Sequence, residues 1–299
     1  MDVRDAHAVW LKDKVYVGGG VVLGSRRDLT RLYIYSPATD TWTTLDIPVY
    51  CFGLTTYHSQ LVLVGGREYV GENIDGDDTN KLWTLSEDGQ WQESLPPMPA
   101  PCSMYTSAVS HGDHLLVISN DNPNNVYVYN GNHWASAQHP PQWLYYIKST
   151  VFNGHLYLIG VELPSLSHTY VYCCSLDSLL ASCQPSETSQ PSSVWKRLTE
   201  IPSGCCYPAV FGNRLVAVGE GSPHTTTSLH AYSSLTRSWV HVEVVSSTGD
   251  IPCAVVLPSN ELMIVSGQTA FKATLKCKIF FLIITHLIIV FFIPTRLYK

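Results

Sequence analysis

Charge is scarce in this chain. Only 14% of its 299 residues are charged, the formal net charge is −6, and no tract of Lys and Arg gathers anywhere along it. A nucleic-acid binder needs a basic patch or stripe to meet phosphates, so that class is excluded. Cys-x-x-Cys is missing too. The nine cysteines are odd in number and include two adjacent pairs, Cys173-Cys174 and Cys205-Cys206, which fits neither a disulfide framework nor a zinc ribbon. Reduced thiols in a cytoplasmic protein are the expectation. The opening Met1-Asp-Val-Arg-Asp5 is polar and has no apolar signal-peptide core.

The sequence also lacks catalytic constellations. It holds no Gly-x-Ser-x-Gly elbow, no His-Glu-x-x-His and no phosphate-binding loop. Asp75-Gly-Asp-Asp78 looks like calcium-loop material but has no later Glu at EF-hand spacing, and a solvated acidic loop is expected. His111-Gly-Asp-His114 is the nearest approach to a ligand pair and falls in a tight turn. The expectation is therefore no catalytic residue, no metal and no cofactor.

What the chain has is 17 Tyr, 8 Trp, 20 Gly and 18 Pro, a composition that suits pleated strands punctuated by turns. Aligning the chain with itself brings out a short apolar strand ending in Gly. The clearest copies are Lys14-Val-Tyr-Val-Gly-Gly19, Gln60-Leu-Val-Leu-Val-Gly-Gly66 and His155-Leu-Tyr-Leu-Ile-Gly160. Weaker copies are His114-Leu-Leu-Val-Ile-Ser119, Arg214-Leu-Val-Ala-Val-Gly219 and Glu261-Leu-Met-Ile-Val-Ser266. The landmarks 18, 65, 119, 160, 219 and 266 recur at a mean of about 50 residues. A strand and a polar turn precede each copy. A variable loop, a Tyr-rich strand such as Leu32-Tyr-Ile-Tyr35, and a Trp-bearing strand with Trp42, Trp91, Trp134, Trp195 or Trp239 follow most of them.

Four short alternating strands per unit read as an antiparallel meander. Such a sheet cannot bury both faces alone, and radial stacking hides each face against a neighbour. The paired glycines suit positive φ and close backbone approach near the axis, and the Trp suits packing between blades.

These ordered Gly, Tyr and Trp units resemble the kelch-repeat family, over about residues 1–276. Departures are Ser119-Asn120, Gly160-Val161 and Ser266-Gly267 in place of Gly-Gly, and a sixth unit without its Tyr and Trp half. The resemblance implies an all-β fold, a six-bladed kelch-type β-propeller whose last blade is incomplete or irregular. Its units are expected at about 4–49, 50–99, 100–142, 143–203, 204–252 and 253–276 onward. The Ser-, Gln- and Pro-rich stretch 175–193 is expected as a mobile excursion between the third and fourth strands of unit four.

Residues 277–299 stand apart as an apolar tail. As a helix, 279–293 would reach roughly 22 Å, short of the ~30 Å hydrocarbon core. Three readings stand: closing strands of unit six, a short C-terminal membrane anchor, or a non-native terminus from a truncated or misread frame.

By family analogy the chain is a repeat protein that binds a protein or peptide partner, as an adaptor of ubiquitin-ligase or cytoskeletal type, and is not an enzyme. No BTB, BACK or F-box region is read ahead of unit one. The alternatives are an enzyme acting on a small sugar-like molecule in the central pocket, with galactose-oxidase-like copper chemistry as the family precedent, and a membrane-tethered recognition domain. Loops joining second to third strands and fourth to first strands emerge on one face, where kelch adaptors grip peptides. Counting 14 residues back from each landmark places Arg4, Cys51, Tyr105, Tyr146, Cys205 and Pro252 around the central opening. Arg26, Arg27, Tyr50, Tyr69, Trp143, Tyr145 and Tyr207 lie near them and add the Arg and aromatic types that dominate hot spots.

Overall fold

Short strands separated by tight turns dictate the architecture. The computed structural model describes residues 3–4, 6–22, 31–68, 76–102, 105–121, 123–162, 169–183, 193–201, 204–220, 226–246, 253–266, 269–273, 280–284 and 287–291. In blade one the strands are His7–Leu11, Lys14–Gly18, Arg31–Ser36 and Thr41–Asp46, hydrogen-bonded in chain order. Blade two is Gly53–Tyr57, Gln60–Val64, Leu82–Leu85 and Trp91–Gln92. Blade three is Ser107–His111, His114–Ile118, Val126–Tyr129 and Trp134–Ala137. Tyr145–Phe152, His155–Val161, Thr169–Ser175 and Lys196–Arg197 form blade four. Gly204–Phe211, Arg214–Glu220, Thr226–Ser233 and Ser238–Ser246 form blade five. All these pairings are antiparallel, so the fold is a β-propeller.

Among the described residues five four-stranded blades are present, not six. Cys253–Val256, Leu262–Ser266 and Thr269–Ala273 form a three-stranded sheet. Its first strand contacts the first strands of both blade five and blade one. The tail strands Phe280–Ile284 and Leu287–Phe291 pair with each other in a separate two-stranded sheet rather than extending that one. No helix among the described residues is long and apolar enough to cross a membrane.

Local chemistry explains the hairpins. The first two strands are joined by two-residue turns, as the partners Leu11↔Lys14, Tyr57↔Gln60, Phe152↔His155 and Phe211↔Arg214 show. Both turn residues are left-handed in Lys12-Asp13, His58-Ser59, Asn153-Gly154 and Gly212-Asn213, the geometry that matches strand twist. The paired glycines act as expected from the sequence. Gly66 has φ +94°, and a Cβ there would meet the Tyr50 carbonyl at 2.6 Å; Gly19, at φ +75°, is held against the Phe52 carbonyl in the same way.

Strand alternation then builds the core as a series of inter-blade layers. In the second strand of blade three, Leu115 and Val117 face blade two and pack with Val62, Val64 and Met98. Leu116 and Ile118 face blade four and pack with Leu156, Leu158 and Tyr172. Equivalent clusters join blades one and two around Leu32, Leu54 and Leu63, and blades four and five around Ile159, Val171 and Ala217. Val218, Leu229 and Ile264 join blade five to the three-stranded sheet. Val15, Val17, Cys253 and Met263 join that sheet to blade one.

Part of the stretch expected as a mobile excursion is helical. Leu176–Ala181 forms a helix capped by the Ser175 hydroxyl, and Leu176 and Leu179, three apart on one face, are buried in the layer between blades three and four. Residues 184–192 of that stretch lie outside the described residues.

The repeat tryptophans do more than fill space. Trp91 Nε1 donates to the Asp46 carbonyl at 2.9 Å, Trp134 to Pro96 at 2.9 Å, Trp195 to Gln138 at 2.8 Å and Trp239 to Thr199 at 3.1 Å. Each bond ties a blade to the backbone at the outer end of the blade before it. Trp42 of blade one makes no such bond among the described residues; it tilts against Tyr35 with ring centres 5.0 Å apart and stays 39% exposed. Its neighbour on that side is the three-stranded sheet, which offers no fourth strand among the described residues. Trp195→Ala is therefore expected to lose about 3 kcal/mol of unfolding free energy. Trp42→Ala should lose less than about 1 kcal/mol. Urea unfolding reads both, and equal losses would show that the bond between blades contributes nothing.

Candidate functional site

The rim of the propeller is shaped by an irregularity at the start of the inner strand in blades two to five. In blade four Tyr145 pairs with Val161 and Lys148 with Ile159, so Tyr146 and Ile147 together oppose Gly160. Blade five repeats the bulge, with Cys205 and Cys206 opposite Gly219. The rim position is left-handed in three consecutive blades: Cys51 at φ 55°, Tyr105 at 66° and Tyr146 at 53°. A bulky side chain there costs about 1–3 kcal/mol. Recurrence across units shows that the inner strand imposes this conformation, and two of the three positions carry tyrosine despite it.

Those tyrosines meet. Tyr105 of blade three and Tyr146 of blade four lie edge to face with centroids 4.6 Å apart. Tyr145 is 5.1 Å from Tyr146, 5.8 Å from Tyr105 and 5.3 Å from Trp143. All four rings are partly exposed. Four of the residues selected from sequence thus form one continuous aromatic patch at the junction of blades three and four.

Asparagines that sequence reasoning passed over hold this patch in place. The fully buried Asn124 accepts from Leu144 N at 2.7 Å and donates to the Leu144 carbonyl at 3.0 Å and the Ser119 carbonyl at 3.1 Å. Trp143 Nε1 donates to the Asn120 carbonyl at 3.1 Å. The loop of blade three and the rim of blade four are therefore one hydrogen-bonded piece. The only signal in the sequence was the density of Asn in 120–125, which reads equally as turn chemistry. The side-chain oxygen of Asn120, a residue 7% exposed, has no hydrogen-bond donor among the described residues. Such an orphaned acceptor costs about 1–3 kcal/mol. Asp121 follows directly and is partly exposed.

The other selected residues do not join this patch. Arg26, Arg27 and Tyr69 lie outside the described residues. Arg4 is placed by its backbone pairing with Val21. Tyr50 pairs with Arg67 and is 4% exposed, an interior side chain rather than a surface one; burial raises its pKa, and the Arg67 guanidinium opposes that rise. Tyr207 sits one step below the rim. Its hydroxyl accepts from Ala8 N at 3.3 Å and faces the Ala8 carbonyl at 3.4 Å, stitching blade five to blade one, and burial raises its pKa. The acidic loop is only partly solvated, since Asp78 accepts from Arg67 Nε at 2.8 Å.

Beneath the rim the axis is crossed by side chains. Lys148 Nζ of blade four lies 3.5 Å from His7 Nε2 of blade one, and each residue is 3% exposed. Tyr207 packs edge-on to His7 at 6.5 Å, and Ser107 and Ser149 share a hydrogen bond of 2.8 Å. Burial, with the Lys148 charge second, holds the His7 pKa well below its usual value. Burial lifts the Cys51 thiol to about 11 and Cys102, Cys174 and Cys253 to about 12, so these are inert thiols at neutral pH. No group of three or more His, Cys, Asp or Glu that could hold a metal ion occurs among the described residues.

A second buried histidine, His230, is lowered to about 4 by burial and then by His241. Both histidines bind fewer protons folded than unfolded once pH drops below about 6.5, so the folded state loses stability as pH falls. Each contributes up to about 1.4 kcal/mol per pH unit in that range, and the His230 share levels off near pH 4. Melting temperature should be flat from about pH 8 to pH 7 and fall below about pH 6.5. His7→Gln should make that acid limb shallower; an unchanged limb would refute neutral burial of His7.

Comparison with known proteins supports the architecture alone. No protein-family model matches the chain, and no curated protein sequence matches it. The solved structure of YjhT is similar, with a TM-score of 0.64 at 12% sequence identity, over 92% of this chain and 96% of that one. At that identity the likeness is one of fold: a β-propeller.

Proposed function

We propose that this chain is a kelch-type interaction module: a ring of six units, the sixth incomplete, that recognises a protein or peptide partner through the loop face at the junction of blades three and four. The observation that carries this reading is the patch of Tyr105, Trp143, Tyr145 and Tyr146, four partly exposed rings in mutual contact on a hydrogen-bonded base. Large rings kept at a surface, two of them on left-handed backbone, are unfavourable for an isolated domain. They are favourable where a partner desolvates them, because Tyr and Trp offer much contact area for little lost rotamer freedom.

Binding without catalysis is the accompanying reading. It is supported by thiols that burial keeps protonated and by an axis occupied by the Lys148–His7 contact. The free thiols of Cys51, Cys102, Cys173, Cys174, Cys183 and Cys253 support a cytoplasmic setting. An adaptor role follows the same analogy to kelch repeats.

The test uses the purified full chain as bait for a displayed peptide library. Selected binders should lose about tenfold or more in affinity for Trp143→Ala or Tyr145→Ala, while the melting temperature of each variant stays near that of the parent. Binders that are indifferent to both substitutions would place the interaction elsewhere and end this reading.

A further inference from the structure

The strand that carries the aromatic patch also reaches the axis. Tyr145–Phe152, the inner strand of blade four, starts at the rim with Tyr145 and Tyr146 and brings Lys148 to His7 of blade one. Its register shifts between Tyr145 and Lys148, so the rings and the ammonium belong to two ends of one bulge. Between Tyr146 and Lys148 stands Ile147, fully buried in the layer joining blades three and four. Beyond Lys148, Ser149 is tied to Ser107 of blade three. The ladder is already interrupted at the bulge, so a displacement of Lys148 is taken up beneath the rings.

The axial contact admits one protonation state. An ammonium has three donors and no acceptor, so the His7 Nε2 that faces it at 3.5 Å is the lone-pair nitrogen of a neutral ring. A proton on that nitrogen would set two cations against each other where both residues are buried. Among the described residues, the titratable groups on the elements around His7 supply no opposing charge. Tyr207 of blade five meets it edge-on, and burial raises the pKa of that hydroxyl. Cys253 of the three-stranded sheet is a protonated thiol, lifted to about 12 by burial. The inner strand of blade two brings Tyr57, whose hydroxyl donates to the Asp113 carbonyl. The adjoining strand of blade one brings Lys14, exposed at the far end of the hairpin, and Tyr16, packed in the layer with blade two.

We infer that the Lys148–His7 contact is an acid-released latch on the inner strand of blade four, and through its bulge on the aromatic patch. The latch rests on the contact itself; its bearing on a partner rests on the interaction reading above. The closed contact excludes a proton from His7, whereas an imidazole freed to water takes one below about pH 6.5. Protons therefore favour the open form as pH falls, by up to about tenfold per pH unit below that point. Coupling of this kind is reciprocal, so a partner that holds the patch closed also resists the proton.

Hydrogen exchange of the full chain, corrected for the intrinsic pH dependence of amide exchange, reads the latch. Between about pH 7 and about pH 5, opening of Tyr145–Phe152 should rise about 20-fold, while Gln60–Val64 of blade two changes less than about twofold. His7→Gln, which keeps an uncharged acceptor, should hold the rise below about threefold, and His7→Leu should do the same if the glutamine variant folds poorly. A response confined to His7–Leu11 would show that the contact transmits nothing to blade four, and an equal rise in every blade would be loss of the whole fold; either overturns the latch. A selected peptide that needs Tyr145 should, at about ten times its Kd, suppress the opening of Tyr145–Phe152 at about pH 5 by about tenfold. Opening that ignores such a bound peptide would overturn the link to the patch. Peptides that ignore both Tyr145→Ala and Trp143→Ala would remove the interaction reading, and the exchange of Tyr145–Phe152 would still decide the latch.

Discussion

Face-to-face packing of thin sheets around a closed circle is the constraint from which everything else in this protein follows. No blade here can bury its own apolar faces, because each second strand sends alternate residues to opposite sides. Leu115 and Val117 belong to one layer, and Leu116 and Ile118 to the next. The layer formed by Val15, Val17, Cys253 and Met263 closes the series, although the sheet on its far side has only three strands. Closure therefore depends on the inner strands, whose contacts run without a break from blade one round to the three-stranded sheet and back. The outer strands add the tryptophan-to-carbonyl bonds, and among the described residues that series stops at Trp42, beside the three-stranded sheet.

The same closure creates the site. Bringing inner strands together at the axis leaves room below the rim for a few long polar side chains, and Lys148, His7 and Tyr207 occupy it. Exposed aromatic surface is thereby moved up to the bulges and loops. There Asn124 fastens blade three to blade four, and the left-handed turns at Tyr105 and Tyr146 present their rings. Rigid support beneath exposed aromatics would limit the ordering entropy that the proposed binding has to overcome.

The repeat was legible from one sequence because it rests on local chemistry. The Gly-Gly steps mark backbone that only glycine tolerates, as Gly66 against the Tyr50 carbonyl shows. Two-residue turns such as Asn153-Gly154 mark the hairpins. The patch was legible in part, since the fixed offset from the glycine landmark picked out Tyr105 and Tyr146 as equivalent. The same offset, applied nearby, also selected Tyr50 and Tyr207, whose side chains the fold turns inward. The Leu176–Ala181 helix was missed because its two buried leucines sit in a segment whose composition otherwise reads as loop.

Residue order alone determined the all-β class and the recurring hairpin of first and second strands. These depend on strand period, turn chemistry and repeat spacing, which are properties of neighbours along the chain. Only the tertiary structure decided that five of the sheets have four strands, that Tyr105 meets Tyr146 across a blade boundary, and that Asn120 is left with an acceptor unsatisfied. Those outcomes turn on distances between residues tens of positions apart, and such distances are set by how the ring closes.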